Sequence, residues 1–198
     1  MTNTNSKVRQ TALTAILAAI VILMAFTPLG YLRMGPVSIT FLVIPVVIGG
    51  IVLGSVRGAF LGAVFGATSF IQCFGMDAFG TALFALNPAA TAAACFAPRI
   101  LIGVVAGLLF PALKRFGDAA AFVCTAVAGT LTNTILFIGM VVTFFRNSYF
   151  GGSPFWTVFL GFFSFNVALE LAVGVAASAA LSAVLTRYVL QTRRGAAA

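Results

Sequence analysis

Six apolar segments, broken at charged, glycine and proline positions, leave this chain few ways to fold. They run roughly from Thr11 to Thr27, Val37 to Leu53, Gly58 to Phe74, Thr91 to Leu113, Ala119 to Phe145 and Phe155 to Arg187. A helix needs about 17 to 25 predominantly apolar residues to cross the hydrocarbon of a bilayer. Inside that hydrocarbon every amide and carbonyl must be satisfied by the protein itself. Alternating strand patterns that would mark a barrel are absent, so a bundle of helices is the remaining solution. At 62% hydrophobic and 7% charged residues, with a mean hydropathy of +1.16, nothing is left over for a soluble domain. The expected fold is therefore all-α: one transmembrane domain over residues 1–198, built as a six-helix bundle in the lipid bilayer. MTNTNSKVRQ before the first segment has the look of a secretory leader, but further spans follow it, which predicts a retained first helix.

Six spans put both termini on one side, and the basic residues say which. Lys7, Arg9, Arg57, Lys114, Arg115, Arg187, Arg193 and Arg194 fall on the terminal side, against Arg33 and Arg146 on the other. Positive charge collects on the cytoplasmic face, so both termini are expected there, in the plasma membrane of a bacterium. The net charge of +8 is thus read as topology and not as a nucleic-acid interface. The inner connections SVR and KRFGD are tight turns. The outer ones, PLGYLRMGP, a stretch near GMDAFGTALFALNPA, and RNSYFGGSP, are longer, which makes the outer face the expected ligand entrance.

Ionisable groups at membrane depth are rare and default to function unless paired. Two occur here, Arg99 and Glu170. At the helical rise, Arg99 lies roughly 12 Å below the outer end of its helix if that helix starts near Thr91, Asn133 roughly 18 Å and Asn166 roughly 16 Å from theirs. Glu170 stands one turn deeper than Asn166 on the same face. Four polar side chains from three helices can therefore converge in the outer half of the bundle. Pro98 frees the carbonyl of Ala94 if it lies inside the helix, turning Arg99 inward through a kink; alternatively the continuous helix begins at Pro98. Either Arg99 and Glu170 pair to fix the bundle, or the guanidinium meets a carboxylate or phosphate on a ligand. The second is preferred, because a buried pair is rarely a net source of stability and the planar fork suits such an anion. Gln72, Asn87 and Trp156, near the ends of spans, are weaker binding candidates.

Small residues recur four apart: Ala15 and Ala19, Gly50 and Gly54, Gly58, Gly62 and Gly66, Gly103 and Gly107. Such spacing lets helix backbones approach closely. The glycines are read as packing inside this bundle. The alanines, in TALTAILAAI, either do the same or offer a smooth surface to another membrane subunit. Cys73, Cys95 and Cys124 have no CxxC spacing and the chain has no histidine, so all three are read as packing residues and no metal or other cofactor is expected. HExxH, GxSxG and Walker patterns are missing and only three acids are present, which argues against an enzyme. Inverted repeats of the secondary-carrier kind are not evident. The candidates are then a binding subunit without its own energy source, or a stand-alone channel or proton-coupled carrier relaying charge between Arg99 and Glu170.

The Ala-rich first helix with Ala15-x-x-x-Ala19, then FTPLGYLRMGPVSITFLVIPVVIGGIVLGSVRGAFLGAVFGATSF, CFAPRILIGVVAGLLFPALKR and GTLTNT, resembles the substrate-binding S components of energy-coupling factor (ECF) vitamin transporters. The likeness runs from about Ala12 to Leu185 and is greatest to pantothenate-type members. It implies a high-affinity subunit that captures a small water-soluble vitamin outside, with riboflavin, thiamine, folate or a pyrimidine precursor as alternative ligands. It also implies delivery together with a transmembrane scaffold subunit and two cytoplasmic ATPases, with the Ala15 and Ala19 motif as the scaffold contact and Leu29 to Pro36 as part of a lid. Pantothenate carries a carboxylate, hydroxyls and an amide. Arg99 would meet the carboxylate, and Asn133, Asn166 and Glu170 the hydroxyl and amide groups.

Overall fold

The computed structural model describes residues 2–28, 30–34 and 37–161. Most of the expected sixth span, with Asn166, Glu170, Arg187, Arg193 and Arg194, lies outside the described residues, as do Leu29, Gly35 and Pro36 of the expected lid.

Helix α1 (Thr2–Ala25) ends three residues before Pro28, which cannot continue a helical hydrogen-bond ladder. An antiparallel ribbon follows, β1 (Tyr31–Met34) and β2 (Val37–Thr40), in a register that sets Tyr31 opposite Thr40 and Met34 opposite Val37. The amide of Phe41 continues the pairing onto the carbonyl of Gly30 at 3.0 Å. Within an otherwise helical chain, this ribbon occupies the start of the segment expected to span from Val37. The run Val-Ser-Ile-Thr alternates and is β-branched at three of its four positions, a composition that favours a pleated surface. Helix α2 is left with only Val43–Leu53, 11 residues, or about 16 Å of rise, about half the hydrocarbon thickness.

Gly54, at φ +88°, turns the chain straight from α2 into α3 (Ser55–Gln72). The long connection expected beyond it holds a short helix, α4 (Ala78–Leu86). Asp77 caps it, its Oδ2 accepting from the Gly80 amide at 2.7 Å while its carbonyl accepts from Thr81 Oγ1 at 2.7 Å. Helix α5 (Pro88–Leu113) starts with Pro88 just inside the helix and Asn87 Oδ1 accepting from the Ala90 amide at 3.1 Å, so Asn87 serves as a cap. A single 3-10 turn, Lys114–Phe116, and Gly117 at φ +106° reverse the chain into α6 (Asp118–Phe145). Residues 155–161 are again helical.

Three of these helices are long and apolar enough to cross a membrane, over Lys7–Ala25, Pro88–Phe116 and Asp118–Phe145. Large apolar side chains point outward all around, among them Leu23, Val56, Phe60, Leu108 and Phe144, each roughly half or more exposed. Such a surface suits lipid and not water.

Gly50, Gly58, Gly62, Gly66, Gly103 and Gly107 pack inside the bundle as their spacing predicts, whereas Gly54 has open space around it and serves the turn. A Cβ on Gly58 would come within 2.5 Å of the Gly103 carbonyl oxygen, one on Gly62 within 2.1 Å of that of Arg99, and one on Gly66 within 3.0 Å of that of Cys95. The order of these contacts makes α3 and α5 antiparallel with their backbones touching. Gly50 of α2 joins the same seam, 2.8 Å from the Cα of Gly50 being where a Gly58 Cβ would fall. The α5–α6 pair is antiparallel as well: Phe110 meets Phe122 near the turn, ring centroids 4.8 Å apart, and Arg99 meets Phe137 farther out. An apolar core of Val21, Val46, Leu61, Phe65, Ile102 and Ala106 fills the space between α1, α2, α3 and α5. A second cluster, Leu83, Ala94, Val141 and Phe145, seats α4 on the N-terminal half of α5 and the C-terminal end of α6. Arg99 lies between the two.

Candidate functional site

The site starts from Pro98. Helix α5 runs unbroken through it, which decides between the two arrangements its sequence allows: the proline is interior, and the Ala94 carbonyl loses its usual amide donor. Helical side chains lean toward the helix N-terminus, so Arg99 reaches back and its Nη1 donates to that same carbonyl at 2.7 Å. A charge-assisted bond replaces the missing main-chain one.

Two rings complete the setting. The guanidinium carbon lies 4.4 Å from the Phe137 ring centroid on α6 and 5.5 Å from that of Phe65 on α3. Aromatic faces attract a desolvated cation, so three helices hold this one charge. Arg99 is only 8% exposed, and its Nε has no hydrogen-bond partner among the described residues. A buried donor left so is costly, more when charged. Among the described residues the site therefore carries unsatisfied donor capacity.

Asn133 supplies a second unsatisfied group. It is buried, and its Oδ1 likewise lacks a partner among the described residues. It stands one turn before Phe137 on α6, hence on the face that α6 turns toward Arg99. Counted from the ends of their helices, Arg99 is about 16 Å from Pro88 and Asn133 about 18 Å from Phe145, so both sit near mid-depth on neighbouring antiparallel helices. Thr68 and Ser69 on α3 and Thr91 on α5 are further buried polar residues in the same half of the bundle.

Gln72 is placed differently. It is buried at the end of α3, where its Nε2 donates to the Ala25 carbonyl and so ties α3 to the last turn of α1. Trp156 is exposed and stacks edge-on with Phe155. Ala15 and Ala19 are exposed on α1, while their neighbours Thr14 and Val21 face inward. Of the cysteines, Cys73 and Cys95 are buried with sulfurs 3.9 Å apart across the α3–α5 seam, but Cys124 is exposed, so the packing reading describes only the first two. Sequence reasoning missed Phe65 and Phe137. The i, i+4 spacing of Asn133 and Phe137 was the available signal.

Comparison with known proteins bears on the whole chain. Residues 9–186 match the family described as "ECF transporter, substrate-specific component". The chain is 32% identical to the "Pantothenic acid transporter PanT" of Lactococcus lactis subsp. cremoris, an alignment covering 72% of this chain and 77% of that protein. It is 30% identical to the "Pantothenate transporter PanT" of Leuconostoc mesenteroides subsp. mesenteroides, covering 91% of this chain and 94% of the relative. These are transporters and not enzymes, as the absence of catalytic patterns led one to expect. On a family match over residues 9–186, and on relatives aligned over 72% and 91% of its length, this chain belongs to the substrate-specific components of ECF transporters.

Proposed function

We propose that this protein is the high-affinity binding subunit of an ATP-driven importer in the bacterial plasma membrane, and that its ligand is pantothenate, captured from outside. The observation that carries the reading is the buried guanidinium of Arg99, anchored at Nη1 with Nε left without a partner among the described residues. Such a group binds a carboxylate with geometric preference. Asn133 adds an amide whose Oδ1 has no partner among the described residues, suited to a hydroxyl or amide N–H. Both relatives are named as pantothenate transporters, and pantothenate combines these groups.

In this reading Asn166 and Glu170, from the sixth span, face the same ligand, and Gln72 borders it. Six spans with both termini cytoplasmic follow from the charge bias of the connections. A transmembrane scaffold subunit and two cytoplasmic ATPases, the partners that the family implies, drive release inward. The exposed alanines of α1 form the scaffold contact. Calorimetric titration of the purified protein with pantothenate tests the core of this: saturable binding of one molecule per chain is expected. Heat with riboflavin, thiamine or folate but none with pantothenate would reassign the ligand. Uptake into liposomes by this protein alone, without ATPases, would replace the binding-subunit reading by that of a self-sufficient carrier.

A further inference from the structure

We infer that Pro98 is a positioning residue for ligand charge: it makes the site selective for an anion by giving Arg99 a place to be held. This rests on the proposal that Arg99 receives the ligand carboxylate. The proline is fully buried in the interior of α5 and has no amide hydrogen, so the carbonyl one turn back is available. Arg99 Nη1 takes it at 2.7 Å. The same guanidinium lies over Phe137 at 4.4 Å, and the backbone carbonyl of Arg99 is pressed against Gly62. Main chain, one nitrogen and the ring plane are thus all fixed, and Nε remains for the ligand. An arginine has several rotamers to lose on binding, and holding it beforehand removes that cost from the binding step.

With alanine at 98, the restored amide donates along the helix axis to the Ala94 carbonyl and draws it back into the ladder. Arg99 then loses its anchor while keeping its charge. Removing an internal proline also relieves the helix, so the variant is expected to fold.

The test compares pantothenate with the alcohol in which CH2OH replaces its carboxylate, titrated against wild type, Pro98→Ala, Phe137→Leu and Arg99→Ala. Pro98→Ala is expected to weaken pantothenate binding roughly tenfold, the scale of one hydrogen bond to a charged group, and to change the alcohol less than about twofold. Phe137→Leu, which leaves the proline untouched, is expected to shift the same ratio in the same direction by loosening the ring side of the clamp. Wild-type affinity for both ligands in Pro98→Ala, or an equal loss for both, overturns the positioning role. Arg99→Ala with undiminished pantothenate binding overturns the carboxylate assignment itself, and the inference falls with it. The two failures are thus read from different variants.

Discussion

At the scale of single residues, the proposed function turns on Arg99. A guanidinium that is 8% exposed is expensive to bury, and the chain meets that cost with one carbonyl and two rings, none of them a counter-ion. In the proposed reading the ligand carboxylate supplies the counter-charge that these three contacts do not. Arg99→Ala is expected to cost about 3 kcal/mol of binding, more than roughly a hundredfold in Kd, because it leaves a buried carboxylate unpaired. Titration calorimetry reads this directly, and an undiminished affinity would move the carboxylate elsewhere. Arg99→Lys should recover part of the loss, since the ammonium keeps the charge but not the planar fork. Much of this was legible in the sequence: a lone arginine beside a proline in an apolar run names its own importance and the carbonyl that is freed. The partners were not legible, because Phe65 and Phe137 come from other helices, and phenylalanine in a membrane segment is too common to single out. Gln72, marked as a candidate ligand group by its place near a span's end, also ties α3 to the last turn of α1 through its amide, a role the sequence does not disclose.

At the scale of elements, the seam between α3 and α5 controls where the site sits. Gly62 carries no side chain, and the Arg99 carbonyl lies where a Cβ would come within 2.1 Å of it. Gly62→Ala is therefore expected to destabilise the bundle by about 3 kcal/mol, the upper part of the range for overpacking, since main chain and not a flexible side chain must yield. Gly139 on α6 has open space around its missing Cβ, and Gly139→Ala should be neutral or stabilising by up to about 1 kcal/mol from helix propensity alone. Thermal unfolding in detergent separates the two: a fall in Tm for Gly62→Ala only is expected, and equal behaviour would mean that the seam is not tight. The four-residue glycine spacing announced this seam, because it follows from a single helix and needs no knowledge of the partner. The ribbon of β1 and β2 was hidden for the converse reason: hydropathy counts Val-Ser-Ile-Thr as part of an apolar segment, whereas β-branching decides its local conformation. The short α4 lies in a connection between segments, where the Asp77 cap and not hydropathy marks its start.

At the scale of the whole molecule, the proposed ligand site and the exposed face of α1 lie on different helices. The site faces α3, α5 and α6, whereas Ala15 and Ala19 lie on the exposed side of α1, a helix whose inner side packs on α2 and α3 through Leu17 and Val21. Small side chains on an exposed helix face permit close approach of another helix without the entropy loss of ordering long side chains. An indole at position 15 would stand off any such neighbour by several ångströms but would meet only lipid in the isolated protein. Ala15→Trp is thus expected to leave pantothenate affinity within about twofold of wild type, since no contact to the site is altered. The same substitution should abolish uptake in liposomes that also contain the scaffold subunit and both ATPases. Titration of the isolated variant and ATP-driven uptake of labelled pantothenate supply the two readouts. Loss of both together would mean that the α1 face and the binding site are one mechanical unit, and intact uptake would put the scaffold contact on another face of the bundle.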